Sequence, residues 1–150
     1  MVALLFEVEG QRYGLDVTQV EKVLPYVRLR RLPRVPEYVA GVFRYRGVMV
    51  PVIDLSQLIK GRPVAPFLST RIILVRYVGP SGRDAVLGLL AERTTDSLDD
   101  GEAEPTSSGV AVPEAPFLGG LSANSGGIIQ YVKVEHLLPD ELRDRLFVEE

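Results

Sequence analysis

The sequence predicts a mainly β protein whose short strands close into small barrels. Most of the 150 residues form short apolar stretches separated by glycine, proline and other turn residues, a pattern typical of all-β domains. The stretches 71–77 and 85–92 are apolar at nearly every position. Burial on both faces of such strands is expected in a small closed barrel. An internal repeat, described below, indicates two such units within one domain spanning residues 1–150.

The first third of the chain supplies several short elements. Strands at 3–7 and 12–17 flank a hairpin turn at Gly10-Gln11, and an apolar strand at 20–24 ends before Pro25. Arginine then alternates with leucine over 28–33, as in a half-buried strand. A proline opens and a glycine closes residues 36–41, which predicts one helical turn.

Residues 38–55 contain two apolar strands around a turn that carries Arg44, Arg46 and Gly47. The second strand leads into a predicted short helix over 54–61. Asp54 can cap the free N–H groups of that helix, and Gly61 ends it.

The remaining elements follow the two apolar strands at 71–77 and 85–92. Residues 62–69 are expected to form a loop, and residues 99–112, rich in acids, glycine, serine and proline, a mobile one. A strand is predicted over 127–134 and a closing helix over 139–147, with acidic residues in its first turn.

A weak internal repeat relates two parts of the chain. An offset of 79 residues places residues 38–59 over 117–138, aligning Gly41 with Gly120 and Gly47 with Gly126. Both copies contain an aromatic residue, a glycine turn, an apolar strand and an apolar helix start. The second copy has Ala-Asn-Ser in place of Arg44-Tyr45-Arg46. A duplicated fold is therefore predicted, with the more specialised surface in the first copy.

Charge is unevenly distributed along the chain. The formal net charge is −3, but residues 1–75 carry a net +5 and residues 76–150 a net −8. The basic excess centres on Arg28, Arg30, Arg31, Arg34, Arg44 and Arg46. These arginines either steer an acidic partner or form an ordinary solvated face. Nucleic acid is disfavoured as a partner, because few aromatic residues interleave with the arginines.

Composition offers little for catalysis, and we expect no enzyme. The chain has no cysteine and a single histidine, His136, so neither a Cys/His pair nor a histidine-based metal site can be built. We therefore predict no catalytic residue, metal or cofactor. Zero cysteines fit the cytosol, and no targeting or membrane-spanning segment is visible, so a cytoplasmic protein without membrane insertion is expected.

One alternative gives the arginines a ligand. Arg30-Arg31-Leu-Pro-Arg34 with the later Asp54-Leu-Ser56 resembles the signature of PilZ-type barrels, which bind cyclic dinucleotides. Ile59 stands where that signature has glycine, and Asp54 is better explained as a helix cap. The alternative thus lacks parts that a phosphate site would need.

Several motifs in one order resemble the CheW-like coupling family. They are Tyr13–Val17, Val20–Leu24, Leu32–Val42, Arg46-Gly47, Val50–Leu55 and Leu87–Leu89. The resemblance implies two five-stranded SH3-like β-barrel subdomains, intertwined in one domain, with short helices and a C-terminal helix. It also implies a non-enzymatic adaptor that couples chemoreceptors to a CheA-type histidine kinase in a bacterial chemosensory array.

The resemblance further implies two sets of binding residues. Val20, Gly41, Arg46 and Gly47 match receptor-side positions, where a groove near Arg46 would receive the cytoplasmic tip of a methyl-accepting chemoreceptor. Tyr26 and Val27 fall where the kinase's regulatory domain would bind. The protein would be cytoplasmic and recruited to membrane receptor arrays. The family usually has Asn-Leu where this chain has Arg44-Tyr45, which indicates a variant adaptor for a pathway other than flagellar chemotaxis.

Overall fold

The structure is a computed structural model that describes residues 2–65, 69–78, 82–94, 97–99, 114–124 and 127–147. Ten β-strands and two short α-helices occur in this part of the chain. The strands are β1 Val2–Val8, β2 Gln11–Asp16, β3 Val20–Pro25, β4 Val39–Tyr45, β5 Val48–Asp54, β6 Arg71–Val78, β7 Asp84–Ala91, β8 Ser97–Asp99, β9 Leu118–Asn124 and β10 Gly127–Val132. The helices are α1 Leu55–Lys60 and α2 Asp140–Leu146, with 3-10 turns at Val17–Gln19 and Val134–His136.

The strands form two sheets of the same design. The first sheet has the order β8-β1-β2-β10-β9 and the second β3-β6-β7-β5-β4. Neighbouring strands are antiparallel except for one parallel pair in each sheet, β2–β10 and β5–β7. Strands from both ends of the chain build the first sheet, whereas the second uses only the middle. The predicted mainly β fold of two five-stranded SH3-like barrels is confirmed.

Both faces of the central strands are buried, because each barrel has its own interior and the two barrels share a further core. Along β6, Ile72 and Leu74 lie in the interior of the second barrel, while Ile73, Val75 and Tyr77 face the shared core. The first barrel encloses its own cluster of Ala3, Leu5, Ile129 and Tyr131. This division explains the near-continuous apolar runs that the sequence shows.

The internal repeat is confirmed at the level of hydrogen bonds. β4 and β9 are offset by 79 residues at both ends, and each pairs with its partner strand through a register shift at the equivalent position. Asp54 N–H donates to the Tyr38 carbonyl at 2.7 Å, and Lys133 N–H donates to the Phe117 carbonyl at 2.7 Å. Asp54 caps α1 through its side chain, whereas Lys133 provides no side-chain cap and only a 3-10 turn follows it.

Three local predictions need correction. The hairpin between β1 and β2 turns at Glu9-Gly10, because these two residues have the positive φ angles, 49° and 78°, of a type I′ turn. Residues 28–33 form no strand and meet β4 through a single bridge, Arg30 to Val42. Residues 36–41 contain a turn closed by Val39 N–H donating to the Pro36 carbonyl, and β4 begins at Val39.

The helices follow the sequence more closely. α1 and α2 lie within the ranges predicted for them, and the strand predicted over 127–134 ends at Val132, followed by a 3-10 turn. The short strand β8 was not predicted. Of the predicted mobile loop 99–112, Asp99 ends β8 and the remaining residues lie outside the described part of the structure.

Candidate docking groove

A groove of about 430 Å³ opens between the start of β3 and the turn that joins β4 to β5. Its lining contains Val20, Glu21, Lys22, Tyr45, Arg46, Val48, Val50, Arg76 and Val86. The valines form an apolar floor, from fully buried Val50 to Val48, which is 57% exposed. Charged side chains surround this floor, so the groove combines apolar burial with polar contacts at its edge.

A β-bulge explains why three consecutive residues of β3 face the groove. In a regular strand, side chains alternate between the two faces of the sheet. The pairing of β3 with β6 shifts between Val20, opposite Val75, and Lys22, opposite Leu74. The extra residue, Glu21, breaks the alternation, so all three side chains reach the groove.

Arg46 lies in a tight turn at the opposite wall. Arg46 and Gly47 both have positive φ angles, 50° and 80°, as a type I′ hairpin turn requires. The Arg46 guanidinium carbon lies 5.2 Å from the centre of the Tyr45 ring, within the range of a cation–π contact. Since Tyr45 is half-buried against the interior of the second barrel, this contact directs the exposed Arg46 side chain over the groove.

The charges around the groove are mainly positive. Lys22, Arg46 and Arg76 face one acid, Glu21, and Arg76 lies 3.8 Å from the Glu21 carboxylate. Both side chains of that pair are well exposed, so the pair contributes little stability. The groove therefore has positive charge to offer to carboxylates or helix-end carbonyls of a partner.

Of the predicted receptor-side residues, Val20 and Arg46 line the groove. Gly47 lies next to Arg46 in the turn without lining the groove, and Gly41 does not line it either. Gly41 is buried in β4 beneath the segment that contains Arg30. A Cβ atom at Gly41 would lie 2.5 Å from the Arg30 carbonyl oxygen, and φ is +147°. This glycine therefore allows close packing of the 28–31 segment on β4.

Tyr26 and Val27 lie beyond the other end of β3. From Val20 to Pro25 the strand extends about 20 Å, at 3.3 Å per residue. Tyr26 is 44% exposed and lines a second cavity of about 480 Å³, together with Leu29 and Arg31 among others. Val27 instead packs against the interior of the second barrel, so Tyr26 is the more accessible of the two.

Asp54 borders that second cavity but already has partners. One carboxylate oxygen accepts the Gln57 N–H at 3.1 Å and the other accepts the Val64 N–H at 2.9 Å. Burial raises the pKa of the Asp54 carboxyl, and these backbone hydrogen bonds partly oppose the increase. The carboxylate is thus occupied as a helix cap, as the sequence predicted, which argues against a PilZ-type role.

Sequence reasoning missed most of the groove. Lys22, Val48, Arg76 and Val86 come from four different strands, and only the paired sheet brings them together. The bulge that turns Glu21 and Lys22 into the groove leaves no sequence signal.

The described residues show no feature of a catalytic or metal site around the single histidine. His136 is exposed at the end of a 3-10 turn. No three histidine, aspartate or glutamate side chains in this part of the chain lie close enough together to hold a metal ion. No helix there combines the length and apolar content needed to cross a membrane.

Comparison with known proteins gives one consistent result. Residues 2–142 match the profile of the CheW-like domain family. The chain is 26% identical over 140 residues to the chemotaxis protein CheW of Klebsiella aerogenes, covering 92% of this chain and 81% of the relative. It is 27% identical over 143 residues to CheW of Rhizobium meliloti, covering 94% and 89%. The crystal structure of the scaffolding protein TtCheW from Thermoanaerobacter tengcongensis superimposes with a TM-score of 0.75 at 25% identity, covering 92% of this chain and 87% of TtCheW. None of these matches supports the PilZ-type alternative.

Proposed function

The chain belongs to the CheW-like domain family and is a chemotaxis coupling adaptor, and from that premise we propose which surfaces perform the coupling. The groove at the mouth of the second barrel receives the cytoplasmic tip of a methyl-accepting chemoreceptor. The end of β3, at Tyr26 and Val27, binds the regulatory domain of a CheA-type histidine kinase. The adaptor works by binding, without catalysis and without a cofactor, in the cytoplasm at membrane receptor arrays.

The observation that carries the receptor assignment is the convergence of Val20 and Arg46 on one groove. Val20 and Arg46 lie 26 positions apart in the chain, yet both line it. A helical receptor tip can bury apolar side chains against the valines and present a carboxylate or carbonyl to Arg46. Gly41 acts through packing of the 28–31 segment rather than by direct contact.

Separation of the two surfaces supports the kinase assignment. A strand about 20 Å long lies between Val20 and Tyr26, so the two partners are assigned to opposite ends of β3. The exposed ring of Tyr26 is a suitable anchor for a protein interface, since tyrosine is enriched among residues that dominate binding energy.

The test is co-sedimentation with a CheA-type kinase and a receptor cytoplasmic fragment from the same organism. Arg46→Glu should weaken receptor binding by about 2–4 kcal/mol, the range of an interface hot spot, and leave kinase binding unchanged. Tyr26→Ala should weaken kinase binding and leave receptor binding unchanged. Lys133→Glu, an exposed cation on the other barrel, is the charge-matched control for Arg46→Glu.

Circular dichroism of each variant establishes that it is folded. Wild-type receptor affinity in folded Arg46→Glu would remove the receptor assignment. If the wild-type protein bound neither partner, the proposed coupling role itself would fail.

A further inference from the structure

The outer face of the β4–β5 hairpin carries an exposed methionine beside arginines that form no ion pair with any residue that the structure describes. Met49 is 56% exposed and lies directly opposite Arg44 in the antiparallel pair. Arg30 bridges to Val42 on the other side of β4, which places it on the same face as Arg44. We name Arg30, Arg44 and Met49 the hairpin patch.

The hairpin patch is separate from the groove. Side chains alternate along a strand, so Phe43 and Tyr45 face the barrel interior and the groove, while Arg44 faces outward. Neither Arg30, Arg44 nor Met49 lines the groove. A partner that occupies only the groove would leave the patch exposed.

The side chains of both patch arginines are open to solvent. Both are exposed, and in the described residues neither forms an ion pair, although Arg62, Arg76, Arg93 and Arg143 all do. Across β4 and β5, the Cβ atoms of Arg44 and Met49 are about 5 Å apart, because they are direct cross-strand neighbours. An apolar contact point therefore lies beside two unpaired guanidinium groups.

The repeat offers an internal comparison. Ile128 occupies the position of Met49 in the second copy and is 64% exposed, but its cross-strand neighbour is Ala123 instead of arginine. Both barrels thus expose an apolar side chain at the same place, but only in the second barrel is its direct cross-strand neighbour an arginine.

We propose that the hairpin patch is a second protein-docking surface, which binds an acidic amphipathic segment of a protein partner. Met49 supplies a flexible apolar contact, and Arg30 and Arg44 pair with carboxylates, which guanidinium groups bind in bidentate fashion. On a helix, residues three or four positions apart lie 5–6 Å from each other. The matching segment therefore has an apolar residue with acidic residues three or four positions away.

Two other classes of polyanion fit the patch less well. Single-stranded nucleic acid binds largely through stacking of its bases on aromatic side chains, and the aromatic residues of β4 face away from the patch. An anionic membrane is disfavoured because one exposed methionine supplies little apolar area for insertion.

Methionine methyl NMR tests the proposal directly. The chain contains two methionines, Met1 and Met49, so labelling with ¹³C-methyl methionine gives one signal from the patch and one from the N-terminus. The probe is a synthetic amphipathic helical peptide of leucine and glutamate, and its leucine–lysine counterpart is the control. The glutamate peptide should shift the Met49 signal and leave Met1 unchanged, and the lysine peptide should shift neither.

Variants make the result specific. Arg30→Glu/Arg44→Glu should weaken the peptide at least tenfold, because two attractive charges become repulsive. Lys133→Glu/Arg62→Glu has the same change in net charge elsewhere and should bind as the wild type does. Arg46→Glu should also keep wild-type peptide affinity, since the groove is not involved. Salt at about 0.5 M should abolish the wild-type shift by screening the charges.

Three results would overturn the proposal. They are an unchanged Met49 signal, wild-type peptide affinity in Arg30→Glu/Arg44→Glu, and a larger Met49 shift with phosphatidylglycerol vesicles than with the peptide. Repeating the titration with the kinase and the receptor fragment identifies the natural partner. Co-sedimentation of a fragment with no change at Met49 would leave the coupling function intact and exclude the patch from that contact.

Discussion

The substitution Gly41→Ala tests how the 28–31 segment is held on the second barrel. The new Cβ would lie 2.5 Å from the Arg30 carbonyl oxygen and 2.9 Å from its carbon, far inside normal contact, so the segment must move away. That movement breaks the two hydrogen bonds between Arg30 and Val42, now 2.9 Å and 2.8 Å long. Each bond contributes about 0.5–1.5 kcal/mol, and the positive φ costs alanine about 1–3 kcal/mol. The expected loss in the free energy of unfolding is about 2–6 kcal/mol.

Gly47→Ala is the matched control for this substitution. Gly47 also has a positive φ, 80°, but a Cβ there would meet no atom within 4 Å. Its replacement should cost only the conformational strain, about 1–2 kcal/mol. The excess destabilisation of Gly41→Ala over Gly47→Ala therefore measures the collision with Arg30.

Urea unfolding gives the two free energies, and amide hydrogen exchange reports the bridge itself. In Gly41→Ala the amides of Arg30 and Val42 should lose protection, whereas β5–β7 amides should change only with global stability. If Gly41→Ala cost no more than Gly47→Ala and the Val42 amide stayed protected, the packing role of Gly41 would be refuted. A direct role in receptor contact would then be the better account of this glycine.

Three further predictions concern the interior. Asp54→Asn should remove a pH dependence of stability. Burial raises the pKa of this carboxyl in the folded state above its usual 3.8, so wild-type stability falls as pH rises from about 4 through the raised pKa. Unfolding of the Asn variant, measured across the same pH range, should lack this fall. Leu142→Ala, at the buried face of α2, should cost about 2–5 kcal/mol and lower Tm; a loss below 1 kcal/mol would mean that α2 packs loosely. Gly88→Ala would place a Cβ 2.9 Å from Val52 Cγ2 and should lower the free energy of unfolding by about 1–3 kcal/mol. Gly14→Ala should cost less, because the nearest atom to its Cβ is in the Tyr131 ring at 3.2 Å. A larger loss for Gly14→Ala in urea unfolding would contradict this packing.

Local chemistry made the regular elements predictable. Asp54 at the start of α1 and the apolar run of β6 each encode their structure within a few residues, through helix capping and burial on two faces. The segment 28–33 has the alternation of a strand, but a single bridge at Arg30 is all the pairing it makes with β4. Strand formation depends on a partner strand, and the sequence of one segment does not contain that information.

The groove was less predictable than the fold for the same reason. Arg46 and Gly47 were identifiable because a tight hairpin turn has a local signature. Arg76 and Val86 reach the groove only through the pairing of β6 with β7 and the curvature of the sheet. The β3 bulge adds Glu21 and Lys22, and its position is set by the register with β6 rather than by any residue of β3 alone.

The duplicated fold explains why one barrel can hold several surfaces. Equivalent hydrogen bonds and register shifts in both copies show that the backbone design does not depend on the surface residues. The second copy has Ala123 where the first has Arg44, while Ile128, at the position of Met49, is exposed as Met49 is. The first barrel, built from both ends of the chain, packs through the shared core against the second. With that support, the second barrel is free to vary its exposed residues, and the groove, the Tyr26 end of β3 and the hairpin patch all lie on it.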